Sequence, residues 1–257
     1  MIYILLISSV VIIILQHLYF WKTNKKFIVG FREIRKYAHR GYTGEAPDNT
    51  KESISAAIKK GYSWVEIDVV STIDKVVVCS HNFDLETETD GAGYIYNYTY
   101  DSLKCLHIRS YNNNSKIYRI SKLIDILNLF GDSINFNIEI KVKDFFDLTT
   151  AKNLNELLYQ CPKIRPVISS FSPLVILYFK IFRKNLKTAL VINNAKYLWL
   201  LNIIHPDFLH VRVDLITEQL IKYSEEHNLP IVIWTVDNYL VQKFCERVPI
   251  FGIITDL

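Results

Sequence analysis

The chain has 257 residues, of which 50% are hydrophobic and 22% charged, with only 8 glycines and 7 prolines; this excludes a collagen-like or low-complexity chain and an intrinsically disordered one. Thirty basic residues against 26 acidic ones leave a net charge of +4, too small a surplus to indicate a nucleic-acid partner. The four cysteines, Cys79, Cys105, Cys161 and Cys245, form no C-x-x-C pair, so neither a zinc knuckle nor a redox dithiol is indicated.

Residues 1–21, MIYILLISSVVIIILQHLYFW, contain no Asp, Glu, Lys or Arg. About 20 apolar residues cross a hydrocarbon core of roughly 30 Å, so this run predicts a transmembrane helix with the lipid bilayer as partner. Tyr19, Phe20 and Trp21 would then stand in the interfacial aromatic belt. A buried core helix is one rival reading, disfavoured by such length without charge, and a cleaved signal peptide the stronger one, but no basic residue precedes the run and no small-x-small cleavage site follows it. Residues 22–33, with Lys22, Lys25, Lys26 and Arg32, read as a basic juxtamembrane linker. With Arg35 and Lys36 they place the rest of a single-pass protein on the cytoplasmic side.

From Ile34 onward, β-branched runs alternate with helical stretches. The pattern predicts strands at 34–39, 64–70, 75–80, 134–140, 165–169, 187–192, 208–212, 230–235 and 250–254. Helices are predicted at 50–60, 120–130, 147–160, 173–182, 195–203, 217–227 and 237–246, the first capped by Asn49 or Thr50. This is the βα rhythm of a largely parallel sheet covered by helices, in a closed barrel or an open doubly wound form. Only residues 71–74 join the second and third strands, whereas a parallel crossover needs a dozen or more, so these two form an antiparallel hairpin. A turn centred near Ile73 and Asp74 puts Glu66 roughly opposite His81. Leaving out the return arm gives eight strands, the number a closed β/α barrel needs. Residues 82–116 are the longest irregular stretch and read as a small insertion or flap, with Asn112, Asn113 and Asn114 at its exposed end.

Titratable groups gather where the predicted strands end. His39 and Arg40 close the first strand. Glu66 and Asp68 alternate on one face of the second, and Glu139 and Lys141 do the same on another. Three acidic side chains from neighbouring strand ends suit a hard divalent cation, Mg²⁺ or Ca²⁺. His39 and His81 titrate in the range useful for acid and base roles, and Arg40 offers a bidentate fork for phosphoryl oxygens. Each alone has a bland reading: a hydrogen-bonded core histidine, an exposed strand face, a structural salt bridge. Together, on otherwise apolar strands, they would be costly to bury unless they lined a functional mouth. No G-x-G-x-x-G, Walker or G-x-S-x-G motif is present. The set fits attack on a phosphodiester better than hydride transfer.

AHRGYTGEAPDNTKESISAAIKKGYSWVEIDVVSTIDKVVVCSHN, with FNIEIK at 136–141, ISSFSP at 168–173, IWTVDN at 233–238 and IITDL at 253–257, resembles the glycerophosphodiester phosphodiesterase family across residues 34–257. The resemblance implies a TIM barrel with a small insertion that hydrolyses a glycerophosphodiester to glycerol 3-phosphate and an alcohol. It implies His39 and His81 as acid and base, and Arg40 as a catalytic phosphate contact. Glu66, Asp68 and Glu139 are implied as metal ligands, with Lys141 and Trp234 as further substrate contacts. Some members of the family are membrane-bound and act on lysophospholipids in a phospholipase D manner. The alternative outside enzymology is a non-catalytic, membrane-anchored phosphodiester-binding module, which would let the three acids point into separate pockets. No protein partner is indicated. The chain departs from the family pattern at Asp48, where Glu is usual, and at Asn82, where Asp is usual.

Overall fold

Strands and helices alternate along the computed structural model, which describes residues 2–23, 34–110 and 116–257. Most of the predicted juxtamembrane linker (24–33) and the three asparagines at 112–114 lie outside the described residues. In chain order come α1 (Ile2–Tyr19), β1 (Arg35–His39), α2 (Lys51–Lys59), β2 (Trp64–Ser71), β3 (Val77–Cys79), α3 (Tyr100–Leu103) and α4 (Leu123–Phe130). Then follow β4 (Asn135–Ile140), α5 (Thr149–Gln160), β5 (Val167–Ser170), α6 (Pro173–Phe182) and β6 (Lys187–Ile192). The chain ends with α7 (Leu201–Ile204), β7 (Phe208–Arg212), α8 (Glu218–His227), β8 (Ile231–Trp234), α9 (Tyr239–Cys245) and β9 (Gly252–Thr255).

β1, β2 and β4 to β9 pair in parallel, and β1 pairs with both β9 and β2, which closes eight strands into a barrel. The barrel is the (β/α)8 architecture that the strand count predicts. β3 is the antiparallel return arm, pairing Val70 with Val78 and Ser71 with Val77. Extending that register puts Asn82, not His81, opposite Glu66: a shift of one residue from the sequence estimate. The ladder itself ends at Val69 and Cys79. The turn sets the shift, with Lys75 at φ 65° and Thr72 closing the loop by accepting from and donating to Val76.

The strands are buried on both faces because helices cover the outside and side chains fill the inside. Outside, Ile67, Val69, Ile138 and Ile140 pack against Leu123, Leu127, Leu154 and Phe179. Inside, Tyr37, Val167, Ala189, Phe208, Val232 and Phe251 form a separate apolar cluster, with Trp64 against it. Helix starts follow side-chain chemistry: Thr50 and Ser53 form a reciprocal capping box on α2, Thr217 caps α8, and Pro173 opens α6. The predicted helix over 195–203 is instead a 3₁₀ turn, Ala195–Leu200, running into the short α7. The segment after β3 builds a small core of its own from Leu85, Ile95, Leu103 and Ile120 on Val70 and Val78.

The N-terminal expectation needs correction. No helix among the described residues is long and apolar enough to cross a membrane. α1 has 18 residues; at 1.5 Å each it reaches about 27 Å, short of a hydrocarbon core of roughly 30 Å. The end of the segment is also used otherwise. Trp21, read as an interfacial anchor, is buried against the barrel, stacked on His205 at 4.5 Å and beside His227 at 4.9 Å. His17 meets His205 at 4.3 Å, and Thr23 N–H donates to His227 O at 2.9 Å. Hydropathy alone does not register these contacts. The structure thus contradicts the transmembrane helix, and with it the bilayer partner and the single-pass, cytoplasm-facing placement.

Candidate active site

Side chains alternate along each strand, so the residues two beyond the apolar cluster stand above it inside the barrel. From β1 and β2 these are His39 and Glu66, with Asp68 one layer higher; β4 adds Asn137 and Glu139. Parallel pairing sets Glu66 beside Asn137 and Asp68 beside Glu139. The carboxylates of Glu66, Asp68 and Glu139 therefore converge, each offering an oxygen within 4.8 Å of the others. That convergence opposes the binding-module alternative, which has them facing separate pockets.

Two cations hold the acids together. Lys141 Nζ lies 2.8 Å from Asp68 Oδ1 and 2.5 Å from Glu139 Oε1. Arg40 Nε lies 3.1 Å from Asp68 Oδ2, its Nη1 donates to Asp48 Oδ2 at 3.1 Å, and its backbone N–H donates to Glu66 Oε2 at 3.2 Å. Asp48 thus keeps a carboxylate on Arg40 despite its shorter arm. Arg40 adopts φ 55° and Gly41 φ 92°, which turns the chain sharply off β1. A Cβ on Gly41 would lie 2.3 Å from Ser53 Oγ, so only glycine fits.

Electrostatics separate the three acids. Burial raises Glu66 well above the usual carboxylate range, and the charges of Asp68 and Glu139 add to this. Burial acts in the same direction on Asp68, but Lys141 and Arg40 outweigh it and hold that carboxyl low. Burial raises Glu139 against the pull of Lys141. Burial first, then the Lys141 and Arg40 charges, lowers His81, which keeps its ring neutral at neutral pH.

The donor set fits a divalent cation. It is all carboxylate oxygen, the chemistry of a hard ion. Glu66 Oε1 is buried and has no hydrogen-bond partner among the described residues, an orphan that a cation would satisfy. Three carboxylates against Arg40 and Lys141 leave one net negative charge; a divalent ion turns this into one positive charge, the complement of a phosphodiester monoanion.

Beside Arg40 opens a cavity of about 450 Å³ lined in part by His39, Arg40, Asp48, Asn82, Glu88 and Asp256, and not by the three acids themselves. His39 Nδ1 lies 3.1 Å from both oxygens of Asp256. His81 Nδ1 lies 3.1 Å from Asn82 Oδ1, and its ring is near enough to Asp68, Lys141 and Arg40 to feel their charges. Trp234, the last residue of β8, meets Phe171 edge-on at 5.6 Å. All the residues picked out from the sequence thus belong to the C-terminal end of one barrel. Sequence reasoning missed Asn49 and Asp256. Asn49 is buried, donates to Asp68 Oδ2 at 3.1 Å and accepts from Asp68 N–H at 2.9 Å. Its φ of 57° is one in which asparagine is enriched, but the fold alone reveals it. Asp256 sits in the IITDL block, but its pairing with His39 spans the whole chain and only the fold reveals it.

Comparison with known proteins decides the family. The model of the glycerophosphoryl diester phosphodiesterase family matches residues 39–257. The chain belongs to that family. It is 24% identical over 234 residues to a glycerophosphodiester phosphodiesterase of Caldanaerobacter subterraneus, covering 85% of this chain and 92% of that one. It is 27% identical over 161 residues to glycerophosphodiester phosphodiesterase 1 of Bos taurus, of whose length it spans 47%. Among solved structures, an Oleispira antarctica phosphodiesterase in complex with its product sn-glycerol-3-phosphate superposes with a TM-score of 0.76 at 22% identity, covering 86% of this chain and 92% of that one. This last likeness speaks for the fold.

Proposed function

We propose that this chain is a metal-dependent phosphodiesterase that hydrolyses glycerophosphodiesters to glycerol 3-phosphate and an alcohol. The observation that carries the reading is the convergence of Glu66, Asp68 and Glu139 within 4.8 Å, flanked by Arg40 and Lys141. Those three acids would hold Mg²⁺ or Ca²⁺, which when bound neutralises phosphate charge and acts as a Lewis acid. Arg40 and Lys141 bind the non-bridging oxygens and hold phosphorus in line. His81, kept neutral by burial and its cationic neighbours, takes the proton from a substrate hydroxyl as it attacks phosphorus and forms a cyclic phosphate, which water then opens to glycerol 3-phosphate with the two histidines exchanging roles. His39, oriented by Asp256, delivers a proton to the leaving alkoxide. Trp234 and Phe171 give an apolar wall for the carbon skeleton.

The test is turnover of glycerophosphocholine and of lysophosphatidylcholine by chelated protein, with and without added Mg²⁺ or Ca²⁺. Metal-dependent release of choline and glycerol phosphate from the first is expected. No product from either substrate, under any metal, overturns the reading. Preference for the second would move the substrate class to lysophospholipids.

A further inference from the structure

Glu88 has no part in the reaction above, yet it lines the same cavity and is tied into the site at both oxygens. Its Oε1 accepts from Asn82 Nδ2 at 2.9 Å, and its Oε2 lies 3.0 Å from Ser80 Oγ. Its backbone carbonyl accepts from Arg109 N–H at 2.8 Å. Asn82 connects it to His81, whose Nδ1 is 3.1 Å from Asn82 Oδ1. We propose that Glu88 is a positioning residue for His81: it fixes which way round the Asn82 amide stands, and through the amide it fixes the tautomer of the ring. This rests on the phosphodiesterase reading for its consequence in turnover, though not for the tautomer itself.

The two ends of an asparagine amide are nearly equal in size, so packing does not choose between them. A carboxylate does, because it carries acceptors only and therefore takes the amide nitrogen. The amide oxygen is left facing His81, and an oxygen can only accept. Nδ1 must then carry the hydrogen, which leaves the lone pair on Nε2. A neutral His81 in this tautomer offers a base at Nε2. With the amide turned over, its N–H would face Nδ1, the ring hydrogen would move to Nε2, and the base there would be lost.

The preference survives protonation of Glu88. Ser80 has one hydroxyl hydrogen and two acceptors in reach, Asn82 O at 2.9 Å and Glu88 Oε2 at 3.0 Å. A proton on Oε2 satisfies both contacts: Glu88 donates to Ser80 Oγ, and Ser80 donates to the Asn82 carbonyl. Oε1 accepts from Asn82 in either state. Burial, then Asp48, pushes this carboxyl up to about 7, with the Ser80 hydrogen bond and then Arg40 opposing and Asp68 adding to the rise. Near neutrality both charge states are present, and both hold the amide the same way round.

The experiment is ¹⁵N NMR of the full chain with labelled histidine, His81 being assigned by its loss in His81→Gln. In the wild type His81 should be the Nδ1–H tautomer; in Glu88→Ala it should be a mixture. In parallel, kcat of Glu88→Ala on glycerophosphocholine should fall about tenfold with little change in KM. Adding Asn82→Asp to Glu88→Ala should recover kcat, because a carboxylate beside the ring also only accepts; a merely structural loss would not recover. An unchanged Nδ1–H tautomer in Glu88→Ala overturns the proposal, as does, where the wild type turns over glycerophosphocholine, failure of the second substitution to restore that turnover. Should the tautomer shift as stated in a wild type that hydrolyses neither substrate, the proposal stands and the phosphodiesterase reading falls.

Discussion

At the floor of the barrel, Tyr37, Trp64, Val167, Ala189, Phe208 and Val232 pack together as an apolar layer. Two residues further along the same strands and on the same face stand His39, Glu66, Ser169, Val191, His210 and Trp234. Among the described residues, the floor leaves no buried side-chain polar atom without a partner. The upper layer carries buried polar atoms without a partner among the described residues: Glu66 Oε1, the Asn137 amide, Ser169 Oγ and Trp234 Nε1. Each such group costs roughly 1–3 kcal/mol. One set of strands thus supplies stability at one end and spends it at the other, which is where a protein tolerates local inconsistency for function.

The largest expected effect lies at the mouth. His39→Ala or His81→Ala should lower turnover by about 10²–10⁴-fold while the melting temperature stays near wild type. Near-wild-type rates in either variant would remove histidine acid-base catalysis from the mechanism. The converse belongs to the floor. Phe208→Ala should cost about 3–5 kcal/mol of stability, by denaturant melting, and leave kcat of the folded fraction unchanged. A floor substitution that destroyed turnover without destabilising the protein would erase the contrast.

The floor was legible in the sequence and the mouth only partly so. A β-branched run such as 64–70 announces a strand whatever surrounds it, and the observed Trp64–Ser71 differs by one residue. The short 71–74 link forbids a parallel crossover, so the hairpin was also readable. Its register was not, because Lys75 takes a left-handed turn that no hydrophobic pattern encodes. Glu66, Asp68 and Glu139 could be named because strand alternation places them, and the family resemblance assigned the histidines. Asn49, Glu88 and Asp256 could not, since their partners Asp68, Asn82 and His39 are chosen by the fold. α1 shows the reverse failure: its apolar run was visible, but not the docking of Trp21 onto His205 and His227.

Removing the charge that burial most disfavours sharpens the contrast further. Burial raises the Glu66 carboxyl above its unfolded value, so its favourable contribution is complete below that value and is lost as pH rises through the folded one. In chelated protein at pH 8, Glu66→Gln should therefore be more stable than wild type, by on the order of 2 kcal/mol in urea melts. The same variant should gain no stability from added Mg²⁺ or Ca²⁺, whereas the wild type should. A destabilised Glu66→Gln in chelator would show that the acid cluster is not under strain without its cation.

His210 lies on the border between the two layers, above Phe208 and between Val191 and Val232 of the neighbouring strands. It is 2% exposed, and burial pushes its ring down to about 3. A histidine depressed in this way contributes stability that is present above its unfolded value and is lost as pH falls toward the folded one. The window runs from about pH 6.5 down to about 3. Over that range the unfolded chain takes up a proton that the folded barrel refuses. Between pH 7 and pH 5 this costs the wild type about 2 kcal/mol through this one ring. His210→Gln keeps a polar side chain but cannot titrate, so its stability should fall less steeply with pH over the same interval. If both proteins lose stability in parallel, the ring accepts a proton inside the barrel, and the polar layer reaches deeper toward the floor than its neighbours Val191 and Val232 imply.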